Sequence, residues 1–441
     1  MIEPGEDQER ATPSALPTPL PASPGTPATS PETSASPETS ASPGTPASSG
    51  TLAAPPGTPA PPGTSASPGT PASSETPAGD GPRRDRYVDW LRAFSLIVVV
   101  VWHWAFTILQ WGPDGPSPTS PLGFTSGLWI LTWLLQVLPL FFYVGGHVHL
   151  LSWNRACERG VGIGTFVWRR IRSLAIPALA LAGTWIVFGA LVAWAFGIEW
   201  MDRVVLLVIS PLWFIGVYLV LIALLPISLW LHQRYDVLAL IWLAGAALVV
   251  DVLRLRYGYE AAGWLNMIIV WGLAHQAGFF YDRVVALPRR FDVAILWTGL
   301  FALFGLVYSG IYPGSMVGVP GDKLSNMAPP TFVIVALLIF QIGLVEVLRP
   351  SMERLLERPG WQRVNETVNR FALPLFLFHT TGMAIWVALT WWLAGVGPGV
   401  GVRPDLFWWL ERPLAVAGAL VCTLPVIMLF GRKWTARRRP R

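Results

Sequence analysis

Three residues have the types and spacing to do chemistry inside a membrane: Asp89, Arg92 and His103, in the run DWLRAFSLIVVVVWHWAFTILQW from Asp89 to Trp111. At about 1.5 Å of rise per residue, a helix of this length crosses a hydrocarbon core of about 30 Å. The eleven steps from Arg92 to His103, at about 100° each, bring the imidazole back to within roughly 20° of Arg92, three turns deeper. Asp89 lies one turn before Arg92, so one stripe carries a carboxylate, a guanidinium and an imidazole. An ionisable group facing lipid near mid-membrane costs about 2.5–3.5 kcal/mol or more, so His103 is expected to face protein or a wet cavity. A neutral imidazole held there can serve as a general base.

Further along, FVWRRIRSLAIP places Arg169 and Arg172 one helical turn apart on a shared face. Two guanidiniums on one face suit a clamp for phosphates; the plainer account is that they only orient the third span. His379, in FALPLFLFHTTG, lies about 12 Å into the ninth span and either packs across a helix interface or shares a polar cavity with His103. His147 and His149 are two residues apart and point about 200° away from one another on a helix, so they do not form a metal pair. Gly145 and Gly146 before them allow close helix approach or backbone access to a ligand. Asp251, Arg254 and Glu260 read as a local ion pair near an outer loop. No Walker loop, dinucleotide-binding glycine fingerprint or nucleophile elbow is present, so chemistry here must be built from helices in the membrane.

The elements that must position these groups follow from composition. A chain of 441 residues that is 53% hydrophobic and 13% charged is an all-α polytopic membrane protein. Its net charge of +5 comes from basic residues beside apolar runs, which argues for membrane orientation and against a nucleic-acid partner. Residues 1–82 form a Ser/Thr/Pro/Ala/Gly tract in which SASPGTPASS occurs at Ser40 and again at Ser65, and are expected to be a disordered tail. The N-terminus has neither the basic nor the apolar region of a cleavable signal peptide. Spans are expected at about 90–111, 126–150, 173–197, 204–231, 237–253, 262–281, 292–312, 329–348, 371–396 and 407–431, about ten helices, with a basic tail over 432–441. With the N-terminus inside, Arg83, Arg84, Arg86, the cluster from Arg155 to Arg172, the arginines from Arg349 to Arg370 and the basic tail all fall on the cytoplasmic side. Both termini are therefore expected in the cytoplasm, in a plasma-membrane protein. Many of the 24 tryptophans lie near span ends, as an interfacial belt would place them.

Taken together, these motifs resemble the acyltransferase 3 family of integral-membrane acyltransferases. The resemblance rests on D-x-x-R-x10-H in the first span (Asp89, Arg92, His103), FFYVGG in the second (Phe141 to Gly146), and F-x-x-R-x-x-R-x-L-x-x-P opening the third (Phe166, Arg169, Arg172, Leu174, Pro177). PLWFIGVYL (Pro211 to Leu219), NMAPP (Asn326 to Pro330) and FLFH (Phe376 to His379) fit the same order, so the likeness covers about 84 to 430. Many members carry Ser-Gly-Phe or Ser-Gly-Tyr where this chain has Gly145-Gly146-His147. The resemblance implies an acyltransferase domain over 83–431 that moves an acyl group, commonly acetyl, from acyl-CoA to a hydroxyl of a sugar, glycan, lipid or natural product, without a metal. In that scheme His103 is the base, Arg92 and Asp89 assist it, Arg169 and Arg172 hold the donor's phosphates, and His379 contacts donor or acceptor. The competing expectations are a ten-helix secondary transporter built from two inverted halves and a membrane scaffold whose tail recruits partners.

Overall fold

The first helix, α1 (Arg86–Phe106), begins before the apolar run because Asp85 caps it, its carboxylate accepting from the Tyr87 amide at 2.8 Å and the Val88 amide at 3.1 Å. It stops at Phe106, not at Trp111. Thr107 turns extended, and β1 (Ile108–Gly112) pairs antiparallel with β2 (Gly115–Thr119), Ile108 opposite Thr119 and Gly112 opposite Gly115. Pro116 and Pro118 cannot prolong a helix, but a strand of a two-stranded ribbon has a free edge that tolerates them. The computed structural model describes residues 85–112, 115–319, 321–395 and 404–431, within one unit from Gly79 to Arg441. The tails expected over 1–82 and 432–441 lie outside the described residues.

Helices follow one another to the end of the described chain: α2 (Leu131–Leu135), α3 (Leu138–Glu158), α4 (Ile163–Phe196), α5 (Met201–Ile209), α6 (Leu212–Ala223), α7 (Leu225–Tyr235), α8 (Val237–Tyr257), α9 (Asn266–Ala277), α10 (Tyr281–Val285), α11 (Arg289–Tyr308), α12 (Val333–Leu356), α13 (Pro359–Ala394) and α14 (Leu406–Val426). Among the described residues, eight helical runs are long and apolar enough to cross a membrane, and α5 with α6, bent by 44° at Ser210 and Pro211, makes up to nine. The remaining expected span, 262–281, is composite: α9 has 12 residues between 3-10 turns at Glu260–Leu265 and Gly278–Phe280, and reaches only about 18 Å by itself. It is nevertheless central, with Trp271, Ala274 and His275 buried. The chain is thus an all-α polytopic membrane protein, with one small β-hairpin among the described residues.

Two contacts set the frame of the interior. A Cβ on Gly146 would collide with the His275 carbonyl, and one on Gly278 with the Tyr143 carbonyl. Glycine therefore lets α3 touch the end of α9 backbone to backbone. The loop between α11 and α12 is fixed by buried polar side chains. Asp251 accepts from Asn266 Nδ2 at 2.9 Å, the Tyr312 hydroxyl at 2.9 Å and the Phe332 amide at 2.7 Å. Asn326 donates to the carbonyls of Pro313 at 2.7 Å and Ser315 at 2.9 Å, and accepts from Thr331 at 2.8 Å. Arg254 and Glu260 form the local pair expected of them, at 3.1 Å.

Candidate active site

α1 and α13 lie side by side, which brings His103 and His379 together with ring centroids 5.0 Å apart. Trp104 donates from its indole nitrogen to the His379 carbonyl at 3.0 Å. Thr380 donates to Val208 O at 2.8 Å, and Trp185 to Thr381 Oγ1 at 2.9 Å. These bonds pin α13 against α1, α5 and α4 at the depth of the two imidazoles.

Each ring has one nitrogen committed to its own helix. His103 Nδ1 lies 2.7 Å from Val99 O, and His379 Nδ1 lies 2.6 Å from Phe376 O. A carbonyl only accepts, so both Nδ1 atoms carry hydrogen, and in the neutral ring each Nε2 keeps a lone pair. His379 is fully buried and its Nε2 has no hydrogen-bond partner among the described residues.

His103 opens onto a chamber of about 280 Å³. α1 contributes Val99, Trp102, His103 and Phe106 to its wall; the hairpin gives Pro118 and Thr119; α2 gives Thr132. Gln136 follows α2 on the same wall, and Pro211, Trp213 and Phe214 come from the bend into α6. Phe376 closes it from α13, and Val317 and Met327 from the anchored loop. That loop is held over the chamber by Trp133 donating to Gly314 O at 2.9 Å, and by Thr132 Oγ1 accepting from the Met316 amide at 2.9 Å. Gln136 is held in turn by Gln341, which donates to its carbonyl at 2.8 Å. His379 is not part of the lining; it sits behind His103.

A second polar cluster lies toward the start of α1, roughly 16 Å below His103 by helix rise. Arg92 faces Asp89 at 3.9 Å. Arg170 donates to Ser152 Oγ at 2.6 Å and stacks over Phe166 at 4.7 Å. His149 Nδ1 and His275 Nε2 share a hydrogen bond of 2.9 Å, with the Tyr218 hydroxyl 3.4 Å from His149 Nε2. Arg92 and Arg170 both lie within electrostatic range of His149 and Tyr218. His147 points elsewhere, against the Tyr281 ring at 4.1 Å, so the two α3 histidines diverge as helix geometry requires.

An aromatic column joins the two regions. Phe376 packs on Phe214 at 5.4 Å, Phe214 on Phe141 at 5.0 Å, and Phe141 on Tyr218 at 5.5 Å. Its upper members line the chamber, and its lowest reaches His149.

Of the residues picked from sequence, Asp89, Arg92 and His103 share the expected stripe, and His379 joins His103. Arg169 and Arg172 are both exposed, on the outer face of α4. The arginine turned inward is Arg170, which the sequence reading passed over. Its signal was present: it lies four residues after Phe166 and seven before Pro177, both buried, on the stripe that α4 gives to the protein. Gln136, Thr132 and Tyr218 carried no comparable signal, since single polar residues among apolar ones do not announce which cavity they meet.

No curated protein and no solved structure matches the chain. A family model described as an acyltransferase domain (Acyl_transf_3) matches residues 85–432, which takes in both imidazoles, the chamber and the arginine cluster. A match over that much of the chain shows it to be a member of the acyltransferase 3 family, a membrane acyltransferase.

Proposed function

We propose that the chain transfers a short acyl group, acetyl in the simplest case, from acyl-CoA to a hydroxyl of a carbohydrate, envelope glycan, lipid or natural product. The observation that carries this reading is the state of His103, whose Nδ1–H is bound to Val99 O while Nε2 is left as the acceptor at a chamber wall. Nε2 takes the acceptor's hydroxyl proton as the oxygen attacks the thioester carbonyl. The tetrahedral adduct collapses with cleavage of the C–S bond, and the imidazolium returns the proton to the departing thiolate. An ester and free CoA result, and the step needs no metal.

The donor's phosphates are assigned to Arg169 and Arg172, exposed at the membrane surface, and the start of the pantetheine arm to Arg170, the α4 arginine that faces the interior, together with Arg92. Asp89, 3.9 Å from Arg92, orients that guanidinium. The arm then follows the aromatic column up to His103. His379 supports the His103 ring from behind and is the second polar group available near the reacting atoms. Both termini are placed in the cytoplasm with the arginine rim, in the plasma membrane, and 83–431 is taken as the catalytic domain.

The test is transfer itself. Full-length protein in lipid nanodiscs, given radiolabelled acetyl-CoA and an envelope extract, is expected to release CoA and move label into the extract; vesicle uptake of substrate without acyl-CoA would instead favour the transporter. Replacing both Arg169 and Arg172 by alanine is expected to raise KM for acyl-CoA about tenfold or more with kcat little changed. Unchanged saturation by acyl-CoA would reduce the pair to an orientation signal.

A further inference from the structure

Among the described residues, none that lines the chamber carries a formal charge. Among the described side chains that line it, His103 alone is titratable; the polar remainder consists of the hydroxyls of Thr107, Thr119, Ser120, Thr132 and Ser210, the amide of Gln136 and the indoles of Trp102 and Trp213. Two charged groups stand close behind the wall, Arg412 and Asp251, and neither lines it. Arg412 borders a small adjoining pocket that shares Thr107 with the chamber. Its guanidinium lies 3.9 Å over the Trp408 ring and donates from Nε to Trp408 O at 2.9 Å, while Nη2 faces Glu411 at 3.9 Å and has no hydrogen-bond partner among the described residues. The adjoining pocket has about 10 Å³ of usable space, enough for about one water and not for a carboxylate or phosphate. Asp251, behind the anchored loop, is occupied by three donors.

An anion entering such a chamber leaves water and meets no countercharge, so it is excluded by its own desolvation. A neutral polyol fares differently. Its hydroxyls exchange water for the threonine, serine and glutamine groups of the wall, and its apolar ring face meets aromatic surface. Trp102 and Phe106 stack at 4.2 Å along the lining, and Trp409 meets Phe106 edge-on at 6.0 Å. The thioester end of the donor is uncharged as well, so both reacting ends suit the same neutral space while the phosphates stay at the arginine rim.

We propose that this chamber selects an uncharged, hydroxyl-bearing acceptor unit, a neutral sugar ring or similar polyol, and rejects units that carry a carboxylate, sulfate or phosphate beside the reacting hydroxyl. The proposal rests on the acyl-transfer reading given above and narrows its acceptor class.

Matched acceptors test it. Initial rates with radiolabelled acetyl-CoA are measured for an alkyl β-glucoside, the corresponding alkyl β-glucuronide and the 6-phosphorylated glucoside, on full-length protein in nanodiscs. In parallel, tandem mass spectrometry is run on the product formed from an envelope extract. The glucoside is expected to react at least about tenfold faster than either anion, and the acylated unit in the extract product is expected to be neutral. Leu122→Arg, which puts a cation on the chamber wall, is expected to narrow the gap by about tenfold. Equal or faster transfer to the glucuronide, or an anionic acylated unit in the extract product, overturns the proposal while leaving acyl transfer standing. Absence of any His103-dependent CoA release, with these acceptors and with the extract, overturns acyl transfer and the acceptor class with it.

Discussion

His103→Ala is expected to lower kcat for acyl transfer by about 10²- to 10⁴-fold, the range that a positioned general base contributes. KM for acyl-CoA should change little, because the donor's charged handle is assigned to the arginines of α4 and to Arg92, which lies roughly 16 Å from His103 along α1. The variant should still insert and fold. Among the described residues the His103 ring hydrogen-bonds to Val99 of its own helix, so truncation removes no hydrogen bond between helices and costs only the ring contact with His379. His103→Gln sharpens the test, since an amide can hydrogen-bond to the acceptor but cannot take its proton at neutral pH; it should be as inactive as alanine. Size-exclusion profiles in detergent, together with single-turnover measurements of CoA release, separate lost chemistry from lost structure. Normal turnover by either variant would remove the proposed base and would leave the family's activity to be explained from another group, of which none among the described lining residues is titratable.

The stripe that places His103 was legible because a helix repeats at a fixed angle: once Asp89, Arg92 and His103 are on one continuous helix, their common face follows from arithmetic alone. What ended that helix was less visible. Thr107 to Gly112 are apolar enough to pass for membrane span, and the hint of a returning hairpin lies further on, in the run Pro113-Asp114-Gly115 and the prolines at 116 and 118. α9 was counted as an ordinary span because hydropathy measures composition and not continuity; its C-terminal 3-10 turn lies where Gly146 and Gly278 bring α3 against it, and its N-terminal one where Gly263 meets Arg254 and Pro329. The arginines of α4 show the other limit. Sequence spacing tells which of them share a face, but the neighbours on α3 and α6 decide which face is inside, and those choose Arg170. The chamber roof depends on pairings such as Asp251 with the Phe332 amide and Thr132 with the Met316 amide. Their partners are remote in sequence, and no local pattern encodes them.

The lower end of α1 rests on a buried network whose disruption should have the largest effect on stability. Arg349 donates to Glu346 at 2.6 and 2.9 Å and to the Tyr281 hydroxyl at 2.7 Å, and its guanidinium lies over the Tyr87 ring at 4.5 Å. Tyr281 passes the chain on, donating to Asp85 at 3.2 Å, and Asp85 is the cap of α1; Tyr87 in turn donates to Val345 O at 2.5 Å. One guanidinium thus links α12, α10 and the start of α1, the helix that carries His103. The Glu346 side chain is 2% exposed, so Arg349→Met leaves a carboxylate buried without its partner, a defect that costs about 3–5 kcal/mol. Arg349→Lys should restore only part of this, because an ammonium cannot make the paired contact to Glu346 and also reach Tyr281 from a planar fork. Adding Glu346→Gln to Arg349→Met removes the orphaned charge and should recover much of the lost stability. Unfolding midpoints in one detergent are therefore expected to fall in the order wild type, Arg349→Met with Glu346→Gln, then Arg349→Met alone. If the double variant proved no more stable than the single one, the stability would lie in the guanidinium's packing against Tyr87 and Tyr281 rather than in neutralisation of Glu346.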